Sequence, residues 1–175
     1  NDGNILPLDR SGQRIALIGE LAADKDSPLG SWRAQAINGS AVSVLEGMVA
    51  AGGGRSITYE RGPRFVVSEQ TGFAIRPEIN TTDRSGMRAA VEAASRADVA
   101  VLVLGENCFQ SAEAKSVSDI RLKGLQMELL DLVLEVNPNP SIGPTDCVPS
   151  VAKLAGMDYG DFLEEILRLA IRRYR

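Results

Sequence analysis

Short apolar runs alternate with stretches of helical period over most of the chain. Gln13 to Gly19 (QRIALIG) is a compact apolar run closed by glycine, which predicts a buried strand leading into a loop over a sheet edge. From Ser40 to Ala51 the pattern turns helical: Val44, Leu45, Met48 and Val49 share one face, Ser40 is placed to cap, and Gly52-Gly53-Gly54 ends the run. Ser56 to Glu60 reads as a second short strand. Arg61 to Asn80 is irregular, after which Thr82 or Asp83 is expected to cap a helix through Arg96 with Met87, Ala90, Val91 and Ala94 inward. Val99 to Leu104 (VAVLVL) is the most strand-like segment, and Gly105 follows it. Leu125 to Val136 is an amphipathic helix that Asn137-Pro138 stops.

Strand, loop and helix in this alternation predict an α/β fold: an open, mostly parallel sheet with helices on both faces, flavodoxin-like. Ligands of such sheets sit beyond the C-terminal ends of the strands. Two long loops, Glu20 to Asn38 and Glu106 to Lys123, leave such ends and are expected to converge there. After Asn137 the character changes. Asn139 to Pro149 is rich in proline, Val151 to Gly156 fits a short helical turn, and Asp158 to Tyr174 is amphipathic, with Phe162, Ile166, Leu169 and Ala170 on one stripe widened by Leu163 and Leu167. The division expected is therefore residues 1–139 as an α/β domain and 140–175 as a turn-rich segment with a helical tail. No apolar strand follows the Leu125 to Val136 helix, where a parallel sheet expects one.

Composition narrows the chemistry. With 175 residues, 44% of them hydrophobic, the chain can build one real core, and disorder is not its default. No run approaches the roughly 18 apolar residues of a membrane helix, so no membrane partner is expected. A net charge of −4 argues against nucleic acid, and the arginines from Arg168 to Arg175 read as cations at a helix C-terminus. The chain begins at Asn1 without methionine or a signal-like segment, which reads as a processed or excised piece and leaves periplasmic, secreted and cytoplasmic locations open.

The absence of histidine removes Ser-His-Asp and Cys-His catalysis and every His-containing zinc site. Cys108 and Cys147 are too few for a thiolate site and read as free, small apolar residues. Asp24 and Asp26 read as solvated loop charges, and Gly52-Gly53-Gly54 follows a helix instead of opening one, so it is no phosphate loop. No metal and no cofactor are expected. What remains is carboxylate, amide, hydroxyl, lysine and arginine chemistry.

Five segments in order carry a resemblance over residues 1 to about 136: Asn1–Asp9 (NDGNILPLD), Gln13–Gly19, Leu29-Gly30-Ser31-Trp32, Val44-Leu45-Glu46-Gly47-Met48, and Val101–Gln126 (VLVLGENCFQSAEAKSVSDIRLKGLQ). Together they resemble the second, α/β sandwich domain of family 3 glycoside hydrolases of the β-glucosidase type. Residues 140–175 do not match. The resemblance implies a parent enzyme whose N-terminal (β/α)8 barrel carries an aspartate nucleophile. The sandwich lends that enzyme a loop with the acid/base glutamate, and Glu113, six residues before Asp119, occupies that position. The implied reaction is retaining hydrolysis of terminal β-D-glucosyl residues, which needs two carboxylates roughly 5–5.5 Å apart, one of them a proton donor.

Trp32, Glu106, Lys115 and Asp119 are the substrate-binding candidates that accompany it. Trp32 fits either a sugar-stacking platform or a core anchor, and Glu106 either a site residue or a loop cap. Ala112 stands where glycine is common in the family, Lys115 and Val117 where two arginines are expected, and Lys123 where proline is customary. With the barrel and nucleophile outside this sequence, the expectation is a truncated or chimeric fragment, inactive alone. The alternative is a non-catalytic module that forms a homodimer through its terminal helix and an exposed sheet edge.

Overall fold

The structure, a computed structural model, describes residues 6–9, 12–67, 77–110, 115–136 and 156–173. These fall into two compact units, one holding the described residues between 10 and 137, the other holding 6–9 and 156–173. The larger unit is built on three parallel strands, β1 (Arg14–Ile18), β2 (Ser56–Glu60) and β3 (Val99–Leu102), in the order β2-β1-β3. Ile15 pairs with Ile57 on one side and Val99 on the other, and the register runs unbroken to Ile18 opposite Glu60 and Leu102.

Position in the sheet, not apolarity, decides burial. β1 has neighbours on both edges, and Ile15, Ala16, Leu17 and Ile18 are at most 1% exposed, as a central parallel strand buried on both faces should be. The more apolar β3 lies at the edge and none of its residues is buried. It also ends at Leu102, two residues short of the expected Leu104, although the Val103 amide still donates to the Ile18 carbonyl at 2.8 Å.

Helices α1 (Val44–Ala51), α2 (Met87–Arg96) and α3 (Gln126–Val136) follow the three strands in turn. The main core joins Ala16 and Ile18 of β1 to Met87 and Ala90 of α2, Leu129 and Val133 of α3, and Leu125 just before it. Each large side chain so buried contributes roughly 1.5–3 kcal/mol. Of the expected inner face of α2, Met87 and Ala90 are buried, while Val91 and Ala94 pack against the core from its margin. An Arg84–Glu128 ion pair, two hydrogen bonds of 2.7 and 2.9 Å, joins the approach to α2 to the first turn of α3.

Two caps differ from expectation. Ser43, not Ser40, starts α1: its Oγ accepts the Glu46 amide at 3.1 Å while Glu46 Oε2 accepts the Ser43 amide at 2.9 Å, a reciprocal box that only a glutamate three residues on completes. Neither Thr82 nor Asp83 caps α2; Gly86 holds that position at φ 88°. A Cβ there would stand 2.5 Å from the Gly62 carbonyl oxygen, so close approach of the two segments excludes a capping side chain. Thr82 and Asp83 instead give their amides to Oδ1 of the buried Asn80, whose Nδ2 donates to the Arg64 and Asp83 carbonyls at 2.8 Å.

In the smaller unit, α4 (Tyr159–Arg173) is opened by Asp158, whose Oδ1 accepts the Asp161 amide at 3.0 Å. On its stripe Phe162 is buried and Leu167 exposed, while the side chains of Leu169 and Ala170 lie outside the description. Asn137-Pro138, the proline-rich stretch with Cys147, and the expected turn before Gly156 lie outside the described residues. Among the described residues no helix is long and apolar enough to cross a membrane.

Candidate functional site

A 2-1-3 order reverses direction beside β1, and in open α/β sheets that reversal leaves a crevice beyond the carboxyl ends of the strands. Here the first of the two long loops is pinned by short-range bonds. Asp24 Oδ1 accepts the amides of Asp26 (2.7 Å) and Ser27 (3.1 Å), and the Ser27 hydroxyl donates to Asp24 Oδ2. Asp26 Oδ1 in turn accepts Arg33 Nη1 at 2.5 Å and the Gly39 amide at 3.1 Å. The two aspartates are thus loop organisers, and among the described residues no His, Cys, Asp and Glu cluster fit for a metal is present.

The second loop is tied to the first. Ser27 Oγ accepts the Cys108 amide at 3.1 Å, and the Arg33 guanidinium lies 5.7 Å from the centre of the Phe109 ring, a cation–π distance. The two loops converge as their strand ends predict. Burial, opposed by the nearby Arg33 cation, pushes the Cys108 thiol above its ordinary pKa, so this cysteine is a poor nucleophile. Gln126 fixes the base of the loop by holding both polar groups of Gly105, the amide at 2.7 Å and the carbonyl at 2.9 Å.

Between the loops and the end of β2 lies a cleft of about 340 Å³. All three strand ends line it: Glu20, Leu21 and Asp24 after β1, Tyr59, Arg61 and Phe65 at and after β2, and Asn107 after β3. Glu20 Oε2 accepts the Phe65 amide, which fixes both residues. Partial burial first, and the Glu20 charge second, raise the Tyr59 pKa above its ordinary value, so the phenol is a protonated donor at neutral pH.

The residues singled out from the sequence are placed unequally. Lys115 is buried, and its Nζ donates to the Phe109 carbonyl at 2.7 Å, closing the loop on itself. The Asp119 carboxylate accepts Arg121 Nε at 3.0 Å and the Arg121 amide at 3.1 Å and pairs with Lys123 Nζ at 3.3 Å, and these donors, Arg121 first, hold its carboxyl well below the usual range. Glu106 is exposed. Trp32 is 71% exposed, which does not suit a core anchor. Glu113 lies outside the described residues.

The model of the glycosyl hydrolase family 3 C-terminal domain matches residues 1–143. The chain belongs to this family. A periplasmic β-glucosidase of Salmonella typhimurium is 33% identical over 135 residues, 71% of this chain and 17% of that protein. Among solved structures, a β-glucosidase involved in saponin metabolism from intestinal bacteria superposes at a TM-score of 0.60 with 27% identity, over 78% of this chain and 20% of the other. The β-glucosidase of Listeria innocua gives 0.58 at 26% identity, over 78% and 16%. This family 3 domain therefore spans about a fifth or less of each of these three relatives.

Tyr59, Arg61 and Asn107 were not singled out from the sequence. Each is an ordinary polar residue at a strand end or in a loop. Only the parallel pairing of β1 with both neighbours brings the three together, and strand-end position is the signal that points to them.

Proposed function

We propose that this domain supplies an acid/base loop and substrate-facing loops to a retaining β-glucosidase-like site, and is without hydrolytic activity alone. The observation that carries the reading is the tie between the two strand-end loops, Ser27 to Cys108 and Arg33 over Phe109, in a chain of family 3. It supports a loop pair held for presentation to a substrate. Glu113 is the acid/base in this proposal, protonating the leaving oxygen while an aspartate from an N-terminal barrel domain attacks the sugar. Glu106 and Trp32, both exposed, are the proposed sugar contacts, and Lys115 and Asp119, engaged within their loop, hold its shape. The proposed substrates are β-linked glucosides. The test is turnover of an aryl β-glucoside: none by the chain alone, and activity once it is fused behind a family 3 barrel. Clear turnover by the chain alone, abolished by Glu113→Gln, overturns the reading.

A second reading, self-association into a homodimer, is favoured by the outer edge of β3, which pairs with no described strand, and by the exposed Leu167 on α4. Light scattering at high concentration decides it: a strict monomer ends it.

A further inference from the structure

Asn38-Gly39 is the only Asn-Gly pair among the 175 residues. Asparagine before glycine is the dipeptide most prone to cyclise, because no Cβ shields the attacking nitrogen and the backbone turns freely. In that reaction the Gly39 nitrogen gives its proton to solvent hydroxide and attacks Cγ of Asn38. The Cγ–Nδ2 bond breaks and ammonia leaves, giving a five-membered imide. Water then opens the imide at either carbonyl, to aspartate or to isoaspartate, so that overall water is consumed and ammonia released.

The side chain is available for this chemistry: Asn38 is exposed and makes no side-chain hydrogen bond to a described residue. The nitrogen is not. The Gly39 amide donates to Asp26 Oδ1 at 3.1 Å, and the same oxygen takes Arg33 Nη1. Burial raises the Asp26 pKa, but the bonds from Arg33 and Gly39 outweigh it and hold the carboxyl below its ordinary value, so it is anionic at neutral pH. An anion that accepts the N–H favours the protonated nitrogen and opposes a second negative charge beside it. Geometry acts in the same direction. The Ser40 amide donates to the Ile37 carbonyl at 3.2 Å, closing a turn with Gly39 third at φ 69°, the arrangement of a type II turn. Cyclisation must rotate the peptide between residues 38 and 39 until its nitrogen faces Asn38 Cγ, and both bonds resist that rotation.

We propose that Asn38-Gly39 is a latent modification site, which the Asp26 carboxylate keeps from converting to aspartate or isoaspartate. Either product disturbs the network that holds Arg33 against Phe109. Aspartate sets a second carboxylate in the turn that Asp26 anchors, and isoaspartate lengthens the backbone just before the amide that Asp26 holds. The site stands apart from Glu113 and from the proposed glycosidase role.

The experiment incubates the chain at mildly alkaline pH, folded and in guanidinium chloride, and follows conversion at Asn38 by peptide mapping with mass spectrometry. Conversion is expected about tenfold slower in the folded chain, the worth of one hydrogen bond to a charged acceptor. Asp26→Ala, its fold checked by circular dichroism, removes most of that difference. Arg33→Met, which spares the Asp26 carboxylate, retains most of it. Amide exchange at Gly39 reads the same bond without any conversion and is expected to be slow in the parent chain and fast in Asp26→Ala. Equal conversion in the folded and unfolded chain overturns the proposal, as does fast exchange at Gly39 in the parent. Equal acceleration by Asp26→Ala and Arg33→Met also overturns it, since loop order and not the carboxylate would then be the protection. Asn38→Asp, which carries the direct product, is expected to be cut faster than the parent between Glu106 and Lys123 in limited proteolysis; equal rates overturn the effect on the Arg33 network.

Discussion

Ser27 Oγ accepts the amide of Cys108 at 3.1 Å across 81 residues of sequence, joining the loop after β1 to the loop after β3. The same hydroxyl donates to Asp24, so one side chain ties the second loop to the turn that shapes the first. Ser27→Ala leaves the Cys108 amide without its partner in a part-buried setting. The expected cost is about 1 kcal/mol in urea unfolding, with faster hydrogen exchange at Cys108. Unchanged exchange there would show that the loops are held by other means.

Arg33 makes the second tie, through Asp26 and the face of Phe109. Its side chain is only 17% exposed, so the pair is screened less than a surface one. Arg33→Lys keeps the charge but loses the flat guanidinium that spans both partners. Limited proteolysis should cut the variant faster between Glu106 and Lys123 than the parent chain, with little change in global unfolding. Equal cutting rates would contradict the role given to Arg33.

Gly19 ends β1 at φ 121° and donates its amide to the Glu60 carbonyl at 3.1 Å, while an added Cβ would overlap the Val103 carbonyl oxygen. Gly19→Ala must therefore push β3 away or twist the loop out of line. The variant is expected to lose about 3 kcal/mol or more, measured by thermal or urea unfolding. A loss below about 1 kcal/mol would mean that the strand ends are less closely set than described.

Arg14 and Asp98 staple the starts of β1 and β3. Asp98 Oδ1 takes Arg14 Nη2 at 2.6 Å, its Oδ2 takes the Arg14 amide at 2.8 Å, and the Arg14 carbonyl takes the Asp98 amide at 2.8 Å. The arginine hydrogen bond, chiefly, lowers the Asp98 pKa to about 2. A carboxyl whose folded value lies below its unfolded value of about 4 stabilises the fold fully above the unfolded value. That contribution falls away as pH drops through about 2. Asp98→Asn should be less stable than the parent at pH 7, with the gap narrowing below about pH 4 and closing near pH 2. A gap independent of pH would remove the charge from the explanation.

Much of this was legible in the sequence. The QRIALIG and SITYE runs, the helical period of Met87 to Arg96 and the glycine after each strand lie where residue pattern places them, because burial on a parallel sheet imposes those periods locally. The caps were less legible. Ser40 and Ser43 are equivalent as residue types, and only Glu46 distinguishes them; Gly86 is required by Gly62, a contact across 24 residues. The burial expected of RIALI is found, while the more apolar VAVL is only half-buried, because its place at the sheet edge depends on pairing that local pattern does not encode. The loop tie was foreseeable in outline from strand ends, but its atoms, Ser27 with Cys108 and Arg33 with Phe109, were not, since each pair meets only after the sheet forms. Tyr59, Arg61 and Asn107 offered only their strand-end positions as a signal, and their meeting follows from the sheet.

In the proposed role, Glu113 protonates the leaving group. The most direct measurement is the dependence of kcat/KM, which reports departure of the leaving group, on leaving-group acidity for the chain fused to a family 3 barrel, with and without Glu113→Gln. A proton donor matters most where the leaving alcohol is basic. Expected is a loss in kcat/KM of about 10²–10⁴-fold on an alkyl β-glucoside and little loss in kcat/KM on a dinitrophenyl β-glucoside. Equal losses on both substrates, or none on either, would contradict it.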